Sequence, residues 1–123
     1  MRNNILLGLP MDHDRYKTTI QCCALERDLE LLPGGDQCEV GERGVSLSGG
    51  QRFRVSLARA VYRDAEIYLL EDVFSAVDAN VGKHIFEEVI LGQLKGKTRI
   101  LVTHHTFTLP HADKVVYMKV SRI

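Results

Sequence analysis

Residues 47–72 read LSGGQRFRVSLARAVYRDAEIYLLED, and this stretch decides the fold. Small and apolar side chains that suit close packing follow Ser48, and this pattern predicts a helix that begins there and ends near Arg63. They are Val55, Leu57, Ala58, Ala60 and Val61. The next apolar run, Ile67 to Leu70, predicts a strand buried on both faces, as in a parallel sheet.

The flanking sequence supplies the other layers of an α/β fold. Strand and helix patterns alternate after Tyr62, whereas the sequence before it is mostly helix and loop. We therefore divide the chain into a helical part, residues 1–62, and a part with a partial parallel sheet flanked by helices, residues 63–123. Helices are predicted at residues 11–24 and 80–94, strands at 99–103 and 114–120, and a short apolar segment at 29–32.

Composition excludes several classes of function. Sixteen basic and sixteen acidic side chains give a formal net charge of zero, which disfavours nucleic acid as a partner. Three cysteines without a C-x-x-C pair suit buried thiols in a reducing compartment. The apolar runs are far shorter than the ~20 residues that span a bilayer, so we expect the chain alone to be soluble and any membrane role to come through a partner.

The motif Ser48-Gly49-Gly50-Gln51 lies at the start of the predicted long helix. Glycines let a phosphate approach the backbone, and the N–H groups and dipole of a helix start attract anions. Ser48 adds a hydroxyl donor. The alternative is that Ser48 and Gln51 form a capping box, which satisfies only the helix's own N–H groups. The sequence leaves both interpretations open.

Two acidic residues, Glu71 and Asp72, end the first predicted strand, and His104 ends the next one. Side chains at the carboxyl edge of a parallel sheet stand where such folds bind ligands. Paired carboxylates there can hold Mg²⁺ through water and orient a water toward a phosphate. The alternatives are a solvated loop start for the two acids and a structural role for His104.

The stretch Gly92 to Thr98, GQLKGKT, resembles a phosphate-binding loop. It has three residues between its glycines, where G-x-x-x-x-G-K-[ST] requires four. It also precedes a strand instead of joining a strand to a helix. We interpret it as a loop that enters the strand at residue 99.

Taken together, five motifs in order resemble the ATP-binding cassette (ABC) ATPases. They are residues 47–51, 54–60, 67–72, 75–79 and 102–104. Within that superfamily, residues 32–36, 41–44 and 81–86 look like the first nucleotide-binding domain of C-subfamily transporters, the multidrug-resistance-associated type. The resemblance covers nearly the whole chain and implies a partial P-loop NTPase fold whose P-loop strand is missing. It makes residues 1–62 the signature subdomain and 63–123 a partial ATPase core.

The resemblance also implies roles for individual residues, with ATP and Mg²⁺ as cofactors. Residues 48–51 match the signature motif, which contacts the γ-phosphate of ATP held by a second nucleotide-binding domain in a head-to-tail dimer. Glu71 matches the residue that holds Mg²⁺ through water, and Asp72 the one that polarises the attacking water. Asp78 matches the loop that communicates between the two sites, and His104 the switch histidine on the γ-phosphate.

The family pattern implies a transporter at the cytoplasmic face of a membrane, with transmembrane domains as further partners, in which ATP binding and hydrolysis drive export. Residues 4–8 correspond to a segment that follows both the P-loop and the glutamine loop. Asp72 is shorter than the usual catalytic glutamate, and Glu71 is longer than the usual aspartate. We therefore do not expect autonomous hydrolysis. The alternative is an inert or regulatory truncated module that docks on another nucleotide-binding domain.

Overall fold

The N-terminal part of the chain is helical. The computed structural model describes residues 1–41 and 44–119. Asp12 begins the second helix by accepting a hydrogen bond from the Arg15 N–H, which confirms a helix within residues 11–24. The helices of this part are α1 (Arg2–Leu6), α2 (His13–Cys22), α3 (Glu26–Leu31) and α4 (Gly49–Arg63), with a 3₁₀ turn at Gly35–Gln37.

Helix α4 confirms the helix predicted from Ser48 to Arg63. Ser48 caps its N-terminus, and Asp64 follows its last residue with φ 53, in the left-handed region that ends many helices. The helix packs against α1 and α2. Its buried side chains are Val55, Leu57, Ala58, Val61 and Tyr62.

Tyr62 fastens α4 to the segment before α2. Its hydroxyl donates to the Pro10 carbonyl at 2.7 Å and accepts from the Asp12 N–H at 2.9 Å. Its ring meets Tyr16 edge to face, with centroids 6.2 Å apart. Among the described residues, every buried apolar side chain except Cys38 belongs to one cluster, with members from both sides of Tyr62. The division into residues 1–62 and 63–123 stays a prediction.

Within the described residues the sheet consists of two parallel strands, β1 (Ile67–Glu71) and β2 (Thr98–Val102), with Ile67 opposite Thr98 and Glu71 opposite Val102. Tyr68 and Leu70 are buried, but Ile67 and Leu69 are 62% and 74% exposed. The prediction that this strand is buried on both faces is therefore wrong. Helices cover one face, and no layer within residues 1–41 and 44–119 covers the face that carries Ile67 and Leu69.

A strand is predicted at residues 114–120, but the described residues of this range do not form one. Residues 114–119 have no regular secondary structure, and Val120 lies outside the described residues. Val115, Val116, Tyr117 and Met118 are all exposed. An apolar β-branched run becomes a strand only where a neighbouring strand supplies hydrogen bonds and a surface to pack on, and no described strand pairs with it.

The helix predicted over residues 80–94 is present in two consecutive forms, α5 (Ala79–Ile85) and a wider π-helical segment (Phe86–Gln93). The Leu94 N–H donates to the Val89 carbonyl, five residues earlier, as in a π-helix. The Lys95 N–H donates to the Gly92 carbonyl, so it does not continue this series to Ile90. The Ile90 carbonyl accepts instead from the Arg99 side chain. A turn then leads directly into β2, as predicted for the stretch that resembles a phosphate-binding loop.

An ion pair joins the N-terminal helix to the 3₁₀ turn. The Arg2 guanidinium donates through Nε and Nη2 to the two carboxylate oxygens of Asp36, both at 2.8 Å. This hydrogen bonding lowers the pKa of Asp36 and raises that of Arg2. Burial raises the pKa of the neighbouring Tyr16. The pair therefore holds α1 against the turn that follows α3.

We expect Asp36→Asn to destabilise the chain at neutral pH by about 0.5 kcal/mol, a small value because Arg2 is partly solvated. The folded chain depresses the pKa of Asp36, so the stabilisation is present above the unfolded pKa, about 4, and is lost as the pH falls through the folded value. Urea unfolding at pH 7 and at pH 3 gives the free energy of unfolding of wild type and variant, and the difference between the two should be smaller at pH 3. Asp113→Asn, at an exposed aspartate, is the control; an undiminished difference at pH 3 would contradict the pairing.

Candidate functional site

The start of α4 contains a complete capping box. The Ser48 Oγ accepts from the Gln51 N–H at 3.2 Å, and the Gln51 Oε1 accepts from the Ser48 N–H at 2.8 Å. The alternative interpretation of this motif is therefore present in the structure. It leaves the hydroxyl hydrogen of Ser48 available, because the box uses that oxygen only as an acceptor.

Donors also remain at the helix start itself. The first N–H groups of a helix have no partner inside it, and the first backbone bond of this kind runs from Arg52 to the Ser48 carbonyl. The N–H groups of Gly49 and Gly50 precede it. A Cβ placed on Gly49 would meet nothing within 4 Å, so this side of the helix start is open. Capping and anion binding are thus compatible at this motif.

Asp28, on α3, holds Gln51 of the capping box in place. One carboxylate oxygen accepts from the Gln51 Nε2 at 2.9 Å, and the other accepts from the Arg54 Nη2 at 2.5 Å. Both charged side chains are largely buried. The first bond fixes the orientation of the Gln51 amide, with its oxygen toward Ser48. Asp28 is not recognisable from the sequence, since it lies more than twenty residues before its partners and belongs to no local pattern.

Gly50 lies against the loop that follows β1. A Cβ at this position would be 2.8 Å from the Ala76 carbonyl oxygen, which is closer than side-chain carbons approach backbone atoms. The loop continues to Asp78, whose Oδ1 accepts from the N–H groups of Asn80 and Val81 at 3.0 and 3.1 Å and so caps α5. Asp78 therefore has a structural role as a helix cap.

At the carboxyl edge of the sheet, Asp72 and His104 lie close together, as the parallel strands predict. The His104 Nδ1 is 3.7 Å from the Asp72 Oδ1, and both side chains are substantially exposed. Asp72 has φ 48, and its N–H donates to the Val102 carbonyl at 2.9 Å. This bond holds the start of the loop against β2. The adjacent His105 instead packs its ring against Phe74, with centroids 5.6 Å apart.

Glu71 is the exposed last residue of β1, next to Asp72. Within the part of the chain that the structure describes, no three His, Cys, Asp or Glu side chains form a metal-binding group. Mg²⁺ often takes only one or two carboxylates, with water and substrate phosphates completing its shell. Glu71 and Asp72 fit that donor set and no larger one.

The loop at residues 72–78 joins the start of α4, around Ser48, to the edge of the sheet that carries Asp72 and His104. It begins at Asp72 beside His104, passes the helix start where Ala76 meets Gly50, and ends where Asp78 caps α5. Any displacement of this loop therefore affects both the sheet edge and the glycines of α4.

Comparison with known proteins finds relatives that match nearly the whole chain. ABC transporter C family member 8 of Dictyostelium discoideum is 52% identical over 126 residues, 100% of this chain and 8% of that protein. ATP-binding cassette sub-family C member 2 of Mus musculus is 56% identical over 120 residues, 96% of this chain and 8% of that protein. ABC transporter C family member 3 of Arabidopsis thaliana is 52% identical over 123 residues, again 100% and 8%.

This chain belongs to the C subfamily of ATP-binding cassette transporters. The resemblance drawn from its motifs is thereby confirmed. The ABC chain spans about 8% of the length of these relatives. No protein-family model matches it. Across residues 1–41 and 44–119, no helix has the length and apolar character needed to cross a membrane.

Gly49 and Gly50 at the start of α4 offer a matched pair of variants. We expect Gly50→Ala to destabilise the chain by about 1–3 kcal/mol, because the new methyl group would force the Ala76 carbonyl away. Gly49→Ala should cause no loss, since nothing lies within 4 Å of its Cβ position and alanine favours a helix. Urea unfolding of both variants tests this contrast. Equal effects would show that the loop does not lie against Gly50.

Proposed function

We propose that this chain is the signature-bearing half of a nucleotide-binding domain, and that Ser48 to Gln51 complete an ATP site on a second such domain. The observation that carries the proposal is the open helix start. The Ser48 hydroxyl hydrogen and the N–H groups of Gly49 and Gly50 lie there, beside empty space at Gly49. Fixed donors at a helix N-terminus stabilise a phosphate group.

The sheet edge would serve the other ATP site of the dimer. In this proposal Glu71 holds Mg²⁺ through water, Asp72 polarises the attacking water, and His104 contacts the γ-phosphate. The approach of His104 to within 3.7 Å of Asp72 supports a shared site. Mg²⁺, when bound, would neutralise negative charge on the phosphates. Asp78 would link the two sites, since its loop also meets Gly50.

The proposal places the chain within a larger ABC transporter, whose transmembrane domains carry the substrate while ATP binding and hydrolysis drive export. The relatives are named as transporters, and the chain spans about 8% of their length. The exposed sheet face of Ile67, Leu69, Ile100 and Val102 gives a surface on which the rest of a nucleotide-binding domain would pack.

One observation favours a second candidate, an inert or regulatory module that docks on another nucleotide-binding domain. Gln51 uses its backbone N–H, its side-chain oxygen and its side-chain nitrogen in bonds to Ser48 and Asp28. The motif is therefore structurally satisfied without nucleotide. In this candidate Ser48 would serve only as a helix cap.

Calorimetry of Mg-ATP binding separates the two candidates. The chain would be titrated alone and then mixed with an intact second nucleotide-binding domain of a C-subfamily transporter. We expect no binding by the chain alone and tighter nucleotide binding in the mixture. Ser48→Arg should abolish that gain by filling the open helix start.

Ser56→Arg is the matched control, because it introduces the same side chain at an exposed position of the same helix. It should leave the gain unchanged. A mixture that binds ATP no better than the second domain alone would favour the inert module. A gain that survives Ser48→Arg would contradict the role of the signature motif.

A further inference from the structure

Two adjacent cysteines form a paired thiol group at the end of α2. Cys22 is the last residue of the helix and Cys23 the first beyond it, and their sulfur atoms are 3.9 Å apart. Both thiols are reduced and buried, as the sequence predicts. The pair takes no part in the ATP chemistry proposed above.

This geometry opposes a disulfide between the two residues. Consecutive Cα atoms across a trans peptide are about 3.8 Å apart. Ordinary disulfides join Cα atoms that are roughly 4.4–6.8 Å apart. Closing an S–S bond would therefore strain the backbone between Cys22 and Cys23. The same sulfurs can be joined without that strain if one further atom lies between them.

The sulfur separation fits such a bridging atom. Two thiolates that each lie about 2.3 Å from a tetrahedral metal ion are roughly 3.8 Å apart. Zinc, however, takes four ligands, and no three His, Cys, Asp or Glu side chains converge among the described residues. The ligand must therefore be soft and need only two protein sulfurs. A trivalent organoarsenical meets both conditions, because it brings its own carbon substituent.

We infer that Cys22 and Cys23 form a dithiol site for trivalent organoarsenicals. The reaction breaks two S–H bonds and the arsenic–oxygen double bond of an arsenoxide, forms two As–S bonds, and releases one water. Arsenic remains trivalent and nothing is oxidised. Two bonds to one chain make the adduct far harder to displace than a bond to a single thiol.

Two features of the pair support its reactivity. The Cys23 thiol hydrogen-bonds to Cys22, which lowers the pKa of Cys22 and raises that of Cys23, so one sulfur is the better nucleophile. The Cys22 thiol also donates to the Thr19 carbonyl at 3.4 Å, a weak bond in the last turn of the helix. Cys22 is 5% exposed and Cys23 is fully buried, so a reagent reaches these sulfurs when the end of α2 opens locally.

Phenylarsine oxide tests the site on the wild-type chain. The folded, reduced chain would be incubated with one equivalent of the reagent, freed of unbound reagent by gel filtration, and then unfolded in guanidinium for titration of its free thiols. Of the three cysteines we expect one to remain, identified as Cys38 by peptide mass analysis. The adduct should withstand excess monothiol and be removed by a dithiol. Three free thiols, or protection of Cys38, would overturn the inference.

Variants sharpen the result. Cys22→Ser and Cys23→Ser should each lose the monothiol-resistant adduct, while Cys38→Ser, at the other buried thiol, should keep it. Circular dichroism checks that each variant folds. If a variant does not fold, the wild-type chain treated in its folded state is compared with wild type that was unfolded before treatment. Adduct formation by the unfolded chain but none by the folded chain would overturn the inference.

Discussion

The close approach of Gly50 to the Ala76 carbonyl is the contact on which the arrangement of the candidate site depends. Helix α4 can lie against the loop after β1 only because residue 50 has no side chain. That contact places the start of α4 beside a loop whose other end is held to β2 through Asp72. The glycine therefore connects the helical part of the chain with the edge of the sheet.

The polar groups around Ser48 show how one motif can serve stability and binding together. The capping box uses the Ser48 Oγ and the Gln51 Oε1 as acceptors, and the Gln51 Nε2 donates separately to Asp28. The donors that remain, one hydroxyl hydrogen and two N–H groups, all favour a negative charge. Asp28 adds a negative charge on the far side of Gln51, where the Arg54 guanidinium balances it. The local field at the helix start is therefore set by the helix dipole together with the Arg52 guanidinium, which donates to the Leu47 carbonyl at 2.7 Å.

The parts of the fold that depend on local patterns are predictable from the sequence. The limits of α4 and β1 follow from capping residues and apolar periodicity, and the meeting of Asp72 with His104 follows from parallel strands. Asp28 could not be predicted, since its role depends on which helix packs beside α4. The π-helical form of residues 86–93 also carries no local signal, and its Ile90 carbonyl accepts from Arg99, a residue of β2.

The errors at the sheet share one physical cause. Apolar side chains on alternate positions of β1 and β2 are exposed, and the apolar run at residues 115–118 has no strand beside it in the described structure. A continuous apolar strand is typical of a parallel sheet with layers on both faces and neighbours on both edges. The pattern of these residues thus fits a sheet larger than the two strands observed. That agrees with membership of a family whose proteins are many times longer than this chain. Covering this apolar face would therefore stabilise the fold, because each CH₂ group that becomes buried contributes about 0.8 kcal/mol.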